Sequence, residues 1–261
     1  MVTGVLPLAL EDATKTIQSF LLTGKEYVCL MALHADVEKD KLLSTLNEFV
    51  GDILQRPPVR AAVKRDLRKR RIYYIRDVEI EGREVLFRVG CQAGTYIRKL
   101  VYDIGEVLEV GAHMRELRRT RAGSFNETDS ISLYDLLELS QSSGDEKERI
   151  ARRIIRPMES AFDYVPHIYL RDSAVNSICH GAELAIPGIV RLSENILPRS
   201  PIALFTLKEE LVALSRALMS SEQMLKEERG LAAKTVRVIM PADTYPRLWK
   251  TGMNQTIKVS S

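Results

Sequence analysis

Residues 84–105 read EVLFRVGCQAGTYIRKLVYDIG. In the first eight, Val85, Phe87 and Val89 alternate with Arg88 and Gly90, the two-residue period of a half-buried strand. Beyond Cys91 the period lengthens to that of a helix. Ile97, Leu100, Val101, Ile104 and Leu108 form one apolar stripe, with Thr95 placed to cap a helix running to Val110 and Gly111 placed to end it. Outward from this stretch, Ile72–Ile80 reads as a second strand, turned back by Glu81-Gly82. Lys25–His34 reads as a buried strand, Lys39–Val50 as a helix, and Met114–Arg121 as a basic strand. LALEDATKTIQSFLL (8–22) reads as a helix stopped by Gly24, and SQSSGDEKE (140–148) as a surface loop between two short helices. Around Pro166 the character changes to short β-type segments with one helix, Asp172–Cys179. That pattern predicts a second, small, mostly β domain.

Charge is unevenly spread. The 261 residues carry a formal +3, yet residues 56–76 alone hold nine basic residues against one acid, Asp66. That local +8 leaves the remainder at −5. A second basic knot follows at Arg115, Arg118, Arg119 and Arg121. Clustered Lys and Arg form an electrostatic footprint for phosphates, and Tyr73 and Tyr74 beside the first cluster offer faces for stacked bases. The competing reading is a solvated basic face with no ligand. An anionic membrane surface fits less well, because Pro57 and Pro58 interrupt the segment and no extended amphipathic helix is present.

Other classes fall away. The composition, 45% hydrophobic and 28% charged, is that of a globular chain. Cys29, Cys91 and Cys179 lie far apart, so neither a disulfide framework nor a Cys-rich zinc site is expected. The longest apolar run, Tyr27–Leu33, is far short of the ~18 residues of a membrane span. MVTGVLPLALEDATK lacks the basic start of a signal peptide, so a cytoplasmic location is expected. None of the four histidines has a metal-type neighbour at i+3 or i+4, and no metal site is expected. No nucleotide-binding glycine loop and no serine-hydrolase elbow is present. Composition and spacing lead to a two-domain nucleic-acid-binding protein and stop short of a reaction.

Three segments carry a resemblance. QRPPVRAAVKRDLRKRRIYY (55–74), FRVGCQAGTYIRKLVYDIG (87–105) and GAHMRELRRTRAGSF (111–125) strongly resemble the TruB/dyskerin family of pseudouridine synthases, and within it the archaeal dyskerin type. HIYLRDSAVNSICHGAELAIPGIVRL (167–192) is similar to a PUA domain. The resemblance implies an α+β fold: a mixed, mainly antiparallel sheet with flanking helices, then a PUA pseudo-barrel. It implies a catalytic domain over 1–164, the PUA domain over 165–250 and a flexible tail over 251–261. It also implies cofactor-free isomerisation of uridine to pseudouridine in RNA, guide-dependent in an H/ACA particle and also at uridine 55 of tRNA. The implied partners are guide and substrate RNA, a small zinc-ribbon protein, a Gly/Arg-named β-barrel protein and a kink-turn-binding protein.

Residue by residue, Tyr27 matches the family tyrosine that packs on the flipped base. Arg98 matches the arginine that holds the catalytic aspartate ionised. Leu117 matches an apolar residue of the base pocket. RNA phosphates are expected at Arg56, Arg60, Lys64, Arg65, Arg68, Lys69, Arg70, Arg71, Arg118 and Arg119. His180 and Gly181 are the expected RNA contacts of the PUA domain. One departure stands out. The family motif reads D-P-K-V-T-G-V-L-P, this chain begins M-V-T-G-V-L-P, and the nucleophilic Asp falls two positions ahead of Met1. The expectation is a start placed too far downstream, with part of the catalytic domain missing; the alternatives are a non-catalytic RNA-binding relative and, from another class, a DNA-binding protein.

Overall fold

The computed structural model describes residues 2–57, 66–247 and 258–260. It divides into two compact units, one of Met1–Leu8 with Gln18–Ile154, the other of Ala9–Ile17 with Ile155–Ser261. The division thus falls between Ile154 and Ile155, where sequence places a boundary at 164/165.

The first unit is built on a seven-stranded sheet. Its strands are β1 (Val2–Gly4), β2 (Lys25–Leu33), β3 (Gly51–Gln55), β4 (Arg68–Glu81), β5 (Glu84–Cys91), β6 (Ala112–Ala122) and β7 (Phe125–Asn126). The order is β1-β6-β2-β5-β4-β3, with β7 paired to β6. Only β1 runs parallel to its neighbour; the other pairs are antiparallel. One face is apolar by alternation: Cys29, Met31 and Leu33 of β2 and Val85, Phe87, Val89 and Cys91 of β5 are all buried. Two helices cover that face, α2 (Lys39–Glu48) through Leu42 and Leu46, and α3 (Ile97–Val107) through Ile97, Leu100, Val101 and Ile104. The seating of α3 is close. A Cβ added at Gly105 would lie 2.2 Å from the amide nitrogen of Ala112, at the start of β6.

Several local expectations change. The 8–22 segment is a 3-10 turn over Glu11–Thr16 followed by the short α1 (Ile17–Leu21), and Leu8 and Leu21 are exposed. Leu10 supplies no side-chain cap, and Glu11 at φ 48° breaks the helical start. The polar 140–148 stretch is mostly helical, split between α4 (Leu133–Gln141) and α5 (Gly144–Ile154). Ser132 and Asp135 form a reciprocal capping box that starts α4, and α5 is sustained by pairs such as Arg152–Glu148. Thr95 does not cap α3: its hydroxyl donates to the Gln92 carbonyl at 2.7 Å, and Tyr96 is the N-cap. The helix ends at Val107, three residues before the expected Val110.

The second unit has its own seven-stranded sheet and core. The strands are β8 (His167–Leu170), β9 (Leu184–Ala185), β10 (Ile189–Ser193), β11 (Pro201–Phe205), β12 (Leu211–Ala217), β13 (Leu231–Val238) and β14 (Lys258–Ser260). They are ordered β14-β10-β8-β11-β12-β13-β9. Helices α6 (Asp172–Cys179) and α7 (Ser221–Lys226) close the core around Ile168, Val175, Ile178, Leu204 and Met224. Within the stretch read as a tail, Lys258–Ser260 pairs in parallel with β10; residues 251–257 lie outside the described ones. No helix among the described residues is long and apolar enough to cross a membrane.

The sheet face away from α2 and α3 carries a buried acid, Glu26. Its Oε2 accepts from the Tyr74 hydroxyl at 2.6 Å and Arg76 Nη2 at 3.2 Å. Its Oε1 accepts from Thr120 Oγ1 at 2.7 Å and Arg88 Nη1 at 2.9 Å. Burial opposes the charge, but the bonds from Tyr74, Thr120 and Arg88 win and hold the carboxyl at about 2. Three strands are thereby tied to the residue beside Tyr27.

Two stability outcomes follow. Gly105→Ala, worth about 1 kcal/mol of added propensity in an open helix, should instead destabilise by about 1–3 kcal/mol through overpacking, read from urea unfolding. Glu26 has a depressed native pKa, so its stabilisation is complete above the unfolded carboxylate value and lost as pH falls toward 2. Wild type should lose on the order of 3 kcal/mol over that window relative to Glu26→Gln. Parallel pH profiles for the two proteins would refute this.

Candidate active site

Tyr27, Leu117 and α3 share one side of the first unit. Tyr27 lies on β2 between Val89 of β5 and Arg119 of β6, and its half-buried ring packs on the apolar core. Burial raises its hydroxyl above the ordinary tyrosine value, against an opposing hydrogen bond from Arg119. The ring therefore stays neutral. Leu117 sits two pairs further along, opposite Cys29 on β2 and Val2 on β1. It is buried in the same core and forms apolar wall rather than exposed surface.

Arg98 is the second residue of α3 and is exposed. It makes no hydrogen bond or ion pair with any described residue. An exposed guanidinium in the first turn of a helix can pair with a carboxylate or a phosphate.

Beside Tyr27 and Leu117 the sheet gathers two residues that motif reading did not single out, Lys25 and Cys91, and one that it did, Arg119. Lys25 begins β2, and its Nζ donates to the carbonyls of Leu21 at 2.8 Å and Thr23 at 2.7 Å. Burial, assisted by the Arg119 charge, lowers its pKa. Cys91 lies opposite Lys25, and burial pushes its thiol up to about 11, so it is no thiolate nucleophile. Arg119, read from sequence as a phosphate contact, turns toward this side. Its Nε donates to the Val5 carbonyl at 2.7 Å, linking the V-T-G-V segment to β6. The signal for that role was available in the alternation of β6, which puts Leu117 and Arg119 on one face and Arg118 on the other.

The remaining basic residues are distributed by the same rule. Arg118 is exposed on the far face in an ion pair with Glu127. Lys69 is exposed and paired to Asp52 at 2.9 Å. Arg70 donates to the Gly94 carbonyl at 3.2 Å, and the Arg71 amide to Gln92 Oε1, also at 3.2 Å. Arg68 is half-buried and has partners of its own. Arg56 is exposed beside a 720 Å³ groove lined by Phe49, Ile53, Leu67 and Val107. Arg60, Lys64 and Arg65 lie outside the described residues. In the second unit His180 ends α6, exposed, with Nδ1 2.8 Å from the Asn176 carbonyl, and the exposed Gly181 follows. No cluster of metal-type ligands occurs among the described residues.

Comparison with known proteins accounts for this arrangement. Residues 1–97 match the N-terminal domain of TruB family pseudouridylate synthases, 98–163 the C-terminal domain of tRNA pseudouridylate synthase B, and 166–239 the PUA domain. The chain is 52% identical over 251 residues to a probable tRNA pseudouridine synthase B of Thermococcus kodakarensis, covering 95% of this chain and 74% of that protein. A namesake from Methanopyrus kandleri is 54% identical over 249 residues, with the same coverage. Among solved structures, one titled as a Cbf5–Nop10–Gar1 complex superposes with a TM-score of 0.88 at 52% identity, over 95% of this chain and 76% of that one. An H/ACA RNP bound to a substrate RNA containing 2′-deoxyuridine gives 0.83 at 48% identity, with the same coverage. With these matches running along nearly the whole chain, the chain belongs to the TruB family of pseudouridine synthases, a family of RNA-modifying isomerases.

Proposed function

We propose that this pseudouridine synthase is guide-dependent, isomerising uridines presented by an H/ACA guide RNA, and that it also acts at uridine 55 of tRNA. The observation that carries the reading is the close superposition, along nearly the whole chain, on the Cbf5–Nop10–Gar1 complex and on the H/ACA RNP bound to a substrate RNA. Its name-bearing relatives support the tRNA activity. The partners that go with this reading are guide and substrate RNA, a small zinc-ribbon protein, a β-barrel protein and a kink-turn-binding protein. The PUA domain, through the turn at His180 and Gly181, holds the lower stem of the guide.

In this reading the target uridine leaves its stack and enters the side of the sheet shared by Tyr27 and Leu117. The neutral Tyr27 ring replaces the lost stacking, and Leu117 closes the pocket with apolar surface. Arg98 keeps the attacking carboxylate ionised and aimed. That carboxylate engages the nucleoside, the N-glycosidic bond breaks, and the base turns and rejoins through carbon 5, which gives up its hydrogen as a proton while the freed N1 takes one up. Covalent participation divides one hard step into two easier ones. Lys69 and Arg118 hold phosphates by exchanging their exposed intramolecular acids, which are weak partners in water.

The test uses two N-terminal extensions of the chain, Asp-Pro and Ala-Pro, placed ahead of position 1 to restore or deny the motif carboxylate. The Asp-Pro form should convert a guide-paired uridine, and the Ala-Pro form should not. In the Asp-Pro background Arg98→Ala should lower conversion by about 10²-fold or more while RNA affinity stays within a few-fold. RNA binding without conversion in the Asp-Pro form would favour a non-catalytic RNA-binding subunit. A second outcome concerns the phosphate contacts. Binding should weaken linearly in log–log form with salt, and Lys69→Ala or Arg118→Ala should each reduce the slope by about one. A slope unchanged by either substitution would remove that residue from the interface.

A further inference from the structure

Helix α3 lacks a cap of its own. Its N-cap, Tyr96, makes no side-chain capping bond, and the first amides of a helix have no partner within it. The partner comes from another strand. Gln55, the last residue of β3, is buried at 2% exposure. Its Oε1 accepts from the Tyr96 amide at 3.0 Å, and its Nε2 donates to the Tyr96 carbonyl at 3.2 Å. That carbonyl also takes the Leu100 amide at 3.0 Å, the first turn of the helix. One carboxamide thus fixes both backbone groups of the residue two positions before Arg98.

A second tie comes from β4. Arg70 Nε donates to the Gly94 carbonyl at 3.2 Å, while its Nη1 donates to the Lys69 carbonyl at 2.8 Å. Gly94 takes φ +77°, and a Cβ there would lie 3.2 Å from the guanidinium, so the arginine rests directly on this turn. Alongside, the Gln92 amide donates to the Arg71 carbonyl at 2.8 Å, and the Arg71 amide to Gln92 Oε1. Register explains the convergence. Ile53 pairs with Arg70 and Gln55 with Arg68, so Gln55 and Arg70 stand on the face that α3 covers. Both ties leave from the ends of β3 and β4, where the basic stretch joins the sheet.

We infer that Gln55 and Arg70 are positioning residues for Arg98: they hold turn 92–96, set the first turn of α3, and so fix where the Arg98 guanidinium stands. This rests on the family reading of Arg98. Neither residue needs to touch the nucleoside. Arg70 in this role is committed to Gly94 rather than free for phosphate.

Amide hydrogen exchange on the whole chain without RNA reads the hold directly. Gln55→Leu, close in size but unable to bond, should speed exchange at Tyr96–Arg98 by about tenfold, and Arg70→Met should do the same at Gly94–Tyr96. In the Asp-Pro form, both should lower the conversion rate at saturating RNA by about tenfold with Kd for RNA within twofold. Arg70→Lys retains a donor for Gly94 and should recover much of the lost rate. Should Gln55→Leu fail to fold, the more exposed Arg70 series carries the test alone. Unchanged exchange at 94–98 in both variants would overturn the inference. So would a loss of RNA affinity with the saturated rate preserved, or Arg70→Lys falling as far as Arg70→Met. If wild type bound no RNA, the proposed function would fail, while the exchange measurement would still judge the hold.

Discussion

The seating of α3 on the sheet is the constraint from which the site follows. Ile97, Leu100, Val101 and Ile104 are nearly excluded from water against β2, β5 and β6, each by about 1.5–3 kcal/mol of burial. Gly105 lets the helix approach until its backbone meets the Ala112 amide, and the Gly111 amide donates to the Gly105 carbonyl at 2.9 Å. A helix fixed so closely at its C-terminal half has one freedom left, at its N-terminal turn. Arg98 stands in that turn, and Gln55 and Arg70 bear on it from outside the helix.

The same sheet keeps the two faces chemically apart. On the covered face the ionisable groups are few and neutral or tied: the Cys29 thiol is pushed up to about 12 by burial, the Tyr27 hydroxyl is raised, and Arg119 is bonded to Val5. On the other face Glu26 is ionised and fully partnered, with Arg76 and Arg88 shared between it and Asp77. Buried charge is tolerated where each oxygen has donors, and here each Glu26 oxygen has two. That polar cluster fastens β2 from behind, so the ring of the next residue, Tyr27, is presented from a fixed strand.

Much of this was legible from residues. The switch of period at Cys91 located β5 and α3, and the apolar stripe named the helix face that is buried. GTYIR and HMREL nominate Arg98 and Leu117 as site residues, and the structure puts the first in the opening turn of α3 and the second in the core beside Tyr27. What was not legible depends on side chains meeting across the fold. The cap of α3 comes from Gln55, some forty positions earlier, and no local pattern marks a lone glutamine before Arg-Pro-Pro. The loop expected over 140–148 shrinks to residues 142–143, because a capping box and exposed ion pairs extend the two flanking helices into the polar stretch. The strand β3 was missed because Gly51–Gln55 is short and sits against a charged neighbour.

A run of nine basic residues within 56–76 looks like one patch in the sequence. On a strand it cannot be, because successive side chains point to opposite faces. β4 sends Arg70 toward α3 and its neighbours Lys69 and Arg71 toward the open face, where Lys69 meets Asp52. The division has a chemical sense. Open-face cations are held by exposed acids worth little in water, so an anion can displace those acids at small cost. Arg70 is held by a backbone carbonyl that has no other role, and giving up that bond would unseat the turn leading to Arg98. Basic residues one position apart thus carry different duties, and the alternation of the strand, rather than the density of charge, decides which is which.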